Sequence, residues 1–324
     1  MKLKFTIIFL FYINGLIFGQ QATQYSLYQM NPYAFNPAYA GMDESLSFTG
    51  VYRNQWLGLE GSPESQNISI HTPFYFIGGG VGLNVNNDFI GAHRRTTASL
   101  SYSKYLSVGN QGQLGIGLAG GMIQQAYNGG DLRTPQGSYE GTITHNDDFL
   151  PNNNVSAITP TISVGIYLKK ERLQVGLSAN NLVESTLDYS LENTNSNIRT
   201  KRHYYIYGAY EVDLGDYLTI TPSVFAKTDL VETQTDLSAI FTLNEIIFAG
   251  ASFRGFNPTS LDALVLMAGM QVNANVKFGY AFDMTLSRLQ TVQSGTHEIV
   301  LTYNLNKKIG AGLPPPIIYN PRSL

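Results

Sequence analysis

The sequence predicts an all-β fold: a transmembrane antiparallel β-barrel of about 14 strands, with an N-terminal periplasmic arm or plug. Four observations carry this expectation. From residue 44 onward, apolar and polar residues alternate with period two. The runs are roughly 9–13 residues long, which suits a tilted strand crossing a bilayer better than the ~5–6 residues common in soluble sheets. Charges inside those runs, at Arg53, Lys277, Asp283 and Glu298, fall on the polar face, as a hydrated lumen requires. Connections also differ by side, short at one end of the strands and mostly long at the other.

The N-terminus reads as a cleaved secretory signal over residues 1–19. Lys2 and Lys4 precede an apolar run, Phe5–Phe18, that is too short for a comfortable membrane span. An uncleaved anchor is the alternative. The mature chain then begins near Gln20 or Gln21 with an arm over 20–43. Two Asn-Pro steps, Asn31-Pro32 and Asn36-Pro37, set turns and remove donors, which favours a compact non-sheet segment. Its aromatics Tyr25, Tyr28, Tyr33, Phe35 and Tyr39 need a packing surface, and the barrel mouth is the nearest. The arm therefore plugs the lumen or meets periplasmic machinery.

The barrel is expected over 44–306. Its clearest strand is 274–284, where Ala274, Val276, Phe278, Tyr280, Phe282 and Met284 oppose Asn275, Lys277, Gly279, Ala281 and Asp283. In an earlier strand Leu114, Ile116, Leu118 and Met122 alternate with small residues, whereas the segments 201–213, 216–227, 235–243 and 245–254 are less regular. Short connections fall at Phe74–Ile77, Val108–Gly112, Lys169–Arg172, Gly215-Asp216, Asn244-Glu245 and Asn273. Longer ones fall at Leu57–Glu64, Asp88–His93, Tyr127–Asn154, Val183–Thr200, Gly255–Ser260 and Leu286–Ser294, with an exception near Asp229. Short periplasmic turns opposite longer external loops put both termini in the periplasm. The tail, 307–324, is Pro-rich and falls on that side. A soluble pair of sandwiches explains the alternation equally well, but not the strand length or the asymmetry of the loops.

Composition narrows the function classes. Charged residues are only 13% of the chain, the net charge is −3, and no basic cluster occurs, so nucleic acid is not an expected partner. With no cysteine, disulfides, zinc-thiolate sites and thiol nucleophiles are impossible. The five histidines, His71, His93, His145, His203 and His297, show no metal-pair spacing, and neither HExxH nor GxSxG occurs. His71 and His297 stand beside hydroxyl or carboxylate residues and are the only candidates for a hydrolase built from distant strands. The plainer reading pairs them with polar neighbours in the lumen or at a rim. The loop 127–154 holds Asp131, Glu140, Asp147 and Asp148 without a calcium-loop pattern. It reads as an external loop that folds inward or serves as a docking surface. Gly78–Gly80 lies at a turn with no helix after it, so a tight turn fits better than a phosphate cradle. No enzyme activity and no cofactor are expected.

Four stretches resemble the PorP/SprF family of outer-membrane proteins, components of the type IX secretion and gliding machinery of Bacteroidetes. They are NPYAFNPAYAG at Asn31–Gly41, YRNQWLGLEGSP at Tyr52–Pro63 with SIHTP at Ser69–Pro73, GVGLNVNNDFIG at Gly80–Gly91, and YAFDMTLSRLQTVQSGTHEIVLTYNL at Tyr280–Leu305. The middle, 127–260, matches more weakly. The resemblance implies a non-enzymatic outer-membrane barrel, either in the core secretion apparatus or dedicated to export and anchoring of a large adhesin. Its partners would be outer-membrane lipids, periplasmic type IX secretion components and that secreted adhesin.

The motif positions singled out, with no role assigned, are Asn36, Pro37, Tyr39, Gly41, Arg53, Asn54, Gln55, Trp56, His71, Asn87, Asp88, Gly91, Asp283, Gly295, His297 and Glu298. In this register Arg53 faces the lumen, where an Asp or Glu can pair with it. Trp56 is either part of the motif's function or an interfacial anchor. One departure from outer-membrane barrels in general is the end: the last strand stops near Asn306, so a terminal aromatic is absent or internal, with Tyr303 or Tyr319 as candidates. The rival expectation is a plugged outer-membrane channel for small molecules.

Overall fold

The computed structural model describes residues 23–109, 112–141, 143–190, 195–255, 262–307 and 309. The expected signal segment, and the tail beyond residue 309, lie outside the described residues.

Alternation becomes fourteen antiparallel wall strands: β1 Ser47–Asn54, β2 Glu64–Phe74, β3 Gly79–Ile90, β4 His93–Val108, β5 Gly112–Tyr127, β6 Val155–Lys170 and β7 Leu173–Asn180, then β8 His203–Tyr210, β9 Leu218–Thr228, β10 Thr233–Leu243, β11 Ile247–Arg254, β12 Ala263–Gln271, β13 Val276–Thr285 and β14 Thr296–Asn304. Each pairs with its sequence neighbours, and β1 closes the barrel on β14 in the register Ser47↔Asn304 to Asn54↔His297. Closure pairs the backbone polar groups that an open edge would leave unpaired in lipid. The faces separate as the pattern requires. On β13, Phe278 and Met284 are exposed on the outside while Ala281 and Asp283 are buried on the inside. Leu100, Met122 and Ile158, each more than 60% exposed, mark the apolar outer belt.

Connections at one mouth are short, as expected. At the other mouth two expectations need correction. The predicted connection Asp88–His93 is not a loop: β3 continues to Ile90, and Gly91 (φ +55°) and Ala92 turn directly into β4. Polar Asn86, Asn87 and Asp88 disguised the end of that strand. The predicted loop Val183–Thr200 contains a hairpin of its own, Thr186–Ser190 with Asn195–Arg199. Leu187 and Tyr189 from that hairpin pack with Ala157 and Tyr127, but five-residue strands are too short to announce themselves by period.

The arm lies inside the lumen. Three 3₁₀ turns, Tyr28–Met30, Pro32–Ala34 and Pro37–Tyr39, follow one another, and each Asn-Pro step places proline at the first position of a turn. The Asn36 side chain caps its turn by accepting from Ala38 N at 3.0 Å. Tyr28 stacks on Phe225 (4.7 Å between centroids), Phe35 leans on the same ring, and Tyr39 meets Tyr167 edge-on at 4.9 Å. These rings form the core of the molecule, each burial contributing roughly 1.5–3 kcal/mol.

The arm also runs the length of the lumen. Thr23 sits beside Asp88 near the long-loop mouth, and Asp43 reaches Ser47 at the short-turn mouth. Of the two expected places for the arm, the lumen is the one it occupies, and its described outer end reaches the long-loop mouth. Loop parity fixes only where β1 begins. About 20 residues at ~2 Å or more each are enough to cross the ~30 Å bilayer core again.

Candidate functional site: the lumenal seat of the arm

Because side chains alternate, the polar residues of neighbouring strands form rows on the inner wall. Near the long-loop mouth the rows from β1, β10, β11, β13 and β14 bring together Arg53, Asp236, Arg254, Asp283 and Glu298. All five are at most 2% exposed. Arg53 stands opposite Glu298 in the register of the closing seam. Arg53 Nη2 donates to Asp283 Oδ2 (2.7 Å) and Nη1 to Glu298 Oε2 (3.0 Å). Arg254 donates to Asp283 Oδ2 (2.5 Å) and Asp236 Oδ1 (2.7 Å). Buried Lys227 lies within electrostatic reach of Asp236.

The arm completes this network. Ser26 Oγ accepts from Arg53 Nη1 (2.8 Å) and Arg254 Nη2 (3.0 Å) and donates to Asp283 (2.7 Å). Glu298 takes the two consecutive backbone amides of Ser26 and Leu27, one on each oxygen, at 2.7 Å. A buried ion network is weak evidence of stability, because desolvation opposes the Coulomb gain. Its use here is geometric: it fixes one short piece of backbone against five strands.

At the middle of the wall the inner face is stripped of side chains. Gly115 and Gly117 on β5, Gly165 on β6 and Gly176 on β7 leave a recess for Asn36–Ala38. A Cβ on Gly117 would run into the backbone of Pro37 and Ala38, and one on Gly165 into the Asn36 amide. Asn36 Nδ2 donates to the wall carbonyls of Ile166 (3.0 Å) and Leu177 (3.2 Å). At the short-turn mouth Gly41 N donates to His71 Nδ1 (3.1 Å). Gly41 needs its left-handed φ of +79° to make that turn. Asp43 accepts from Tyr39 Oη and Ser47 Oγ, both at 2.7 Å, and lies 3.6 Å from His71 Nε2. Burial alone would raise the Asp43 carboxyl, but neighbouring His71 and these hydrogen bonds outweigh it and hold it below its usual range. Tyr28 Oη pairs with Ser238 Oγ at 2.8 Å and Tyr33 Oη with Ser101 Oγ at 2.7 Å, both buried.

The motif residues thus sort by place. Arg53, Asp283 and Glu298 meet in the outer cluster, while Asn36, Pro37, Tyr39, Gly41 and His71 belong to the inner half of the seat. Asp88 anchors the outermost described residue of the arm, accepting from Thr23 Oγ1 at 2.7 Å. Gln55 and Trp56 border a cavity of about 240 Å³ at the long-loop mouth, together with Gln24 and Arg254.

Asn54, Asn87 and His297 are on the outer face. Asn87 Oδ1 accepts from Arg94 and Thr96, and His297 Nδ1 pairs with Tyr280 Oη at 2.7 Å. Gly91 and Gly295, both at positive φ, shape connections. His71 and His297 point to opposite sides of the wall, so the structure does not unite the two hydrolase candidates. Ser26, Asp236, Arg254 and the glycine recess were not singled out from the sequence. The small residues between Leu114 and Met122 were their one visible trace.

Comparison with known proteins gives a family. The sequence profile of the type IX secretion system membrane protein PorP/SprF matches residues 17–303. No functionally curated protein matches the chain. Solved outer-membrane barrels resemble it at low identity. The toluene transporter TbuX of Ralstonia pickettii is 9% identical, with a TM-score of 0.48 over 83% of this chain and 91% of that one. The monoaromatic hydrocarbon channel CymD is 10% identical, also with a TM-score of 0.48, over 86% of this chain and 100% of that one. Omp33 of Acinetobacter baumannii is 8% identical, with a TM-score of 0.44 over 80% and 97%. With nearly its whole length matched, the chain belongs to the PorP/SprF family of type IX secretion system membrane proteins.

Proposed function

We propose that this barrel is a plugged, non-enzymatic outer-membrane component of type IX secretion that docks or anchors secreted surface proteins, such as large adhesins, at its long-loop mouth. Family membership supports the secretion role. The observation that favours docking over solute passage is the arm, which occupies the lumen and is hydrogen-bonded to the wall from mouth to mouth. Long connections at one mouth, among them 128–154 and 181–202, supply a broad surface for a partner, and such loops face outward in barrels of this kind. The signal segment is removed on export, and the tail after β14 faces periplasmic machinery.

Deletion of the gene, followed by mass spectrometry of surface and released proteins, tests this. Loss of one or more exported surface proteins is the expected result. An unchanged surface proteome, together with uptake of a defined solute that depends on the gene, would favour the channel reading instead.

A further inference from the structure

We infer that the chain threads its own barrel, so that the outer end of the arm, Thr23–Tyr25, is presented at the cell-surface mouth while the end of β14 stays at the periplasmic one. The position of each wall partner along its strand locates the arm, whose contacts begin near the long-loop ends with Thr23 and finish at the short-turn ends with Asp43. Thr23 meets Asp88 and Asn86 near the top of β3, two and four residues short of its last residue, Ile90. Gln24 borders the mouth cavity with Trp56, Asp262 and Ser287. Ser26 joins the charge cluster just below.

The descent continues through the middle and reaches the other mouth. Tyr28 Oη bonds Ser223 and Ser238, and Asn31 bonds Asn67 and Ser69, all at mid-strand. Ala38 O accepts from Ser103 Oγ, Ala40 O from Tyr105 Oη, and Asp43 from Ser47 Oγ at the first residue of β1. The chain then turns back to rise as β1. Beyond β14, Leu305 N donates to Leu46 O and Ile309 N to Glu44 O, which places the far end of the barrel chain beside the arm's inner end.

One covalent segment therefore meets both mouths. A partner seated on the long loops touches Thr23–Tyr25 directly, and that segment is continuous with Met42–Glu44 on the other side. This inference rests on the outward placement of the long loops and is independent of the secretion role.

Single cysteines test it cleanly, because the natural chain has none. Gln24→Cys, Glu44→Cys and Phe149→Cys, the last in the exposed 128–154 loop, are treated on intact cells with a membrane-impermeant maleimide, after a heat-modifiability gel confirms folding of each. Labelling of Gln24→Cys and Phe149→Cys on intact cells, with Glu44→Cys labelled only after permeabilisation, is expected. Gln24→Cys protected while Phe149→Cys reacts overturns the threading. Glu44→Cys reactive on intact cells, with the other two protected, overturns the cell-surface placement instead.

Discussion

Glu298 holds the arm's backbone as well as a partner side chain, and that is what makes it informative. Its two oxygens take successive amides of the arm while Arg53 neutralises it across the closing seam. Glu298→Ala removes both acceptors and leaves Arg53 with one fewer partner in a buried site, a change of roughly 3–5 kcal/mol for a broken buried pair. Glu298→Gln keeps the shape and one acceptor oxygen, so it is expected to lose less. The temperature at which the folded band converts to the unfolded one on a heat-modifiability gel should fall in the order wild type, Gln, Ala. Equal midpoints would show that the cluster does not hold the arm. Arg53 was readable as a lumenal charge because its strand alternates cleanly. Arg254 and Asp236 were not, since their strands alternate poorly and the partners lie far apart in sequence. Ser26 carried no signal, because a serine in an aperiodic arm looks like any other.

At the scale of elements, β5 shows how one strand serves two media. Its outward residues Ile116, Leu118 and Met122 are exposed toward lipid, and its inward Gly115 and Gly117 make room for the arm. Gly117→Val should destabilise the folded barrel by about 1–3 kcal/mol, as overpacking does, or displace the arm. Gly120→Ala, on the outer face with nothing near its added methyl, should leave the same heat-modifiability midpoint unchanged. Equal effects from the two substitutions would mean that the recess is not a seat. The strand pattern itself was legible, because every wall strand must sort its faces by period two. The hairpin at 186–199 was not, because its strands are too short to show a period. The Gly91 turn was hidden by the polar end of β3.

For the whole molecule, the first and last strands meet at the position where the arm is gripped most tightly, so closure of the barrel and seating of its plug share residues. Arg53 belongs to β1, Asp283 and Glu298 to β13 and β14, and Ser26 to the arm. The family motifs at the two ends of the sequence, far apart in the chain, are thereby parts of one lumenal structure. Sequence reasoning found those motifs and the barrel but left the arm's route open, since parity of loops fixes the start of β1 and says nothing of an aperiodic segment before it. The central claim is that the arm is the plug. Planar-bilayer recording of purified, folded protein with and without residues 21–39 tests it most directly. The intact protein should show no sustained conductance, and the shortened one should conduct ions through the vacated lumen. Steady conductance by the intact protein, or equal silence from a folded shortened barrel, would contradict it.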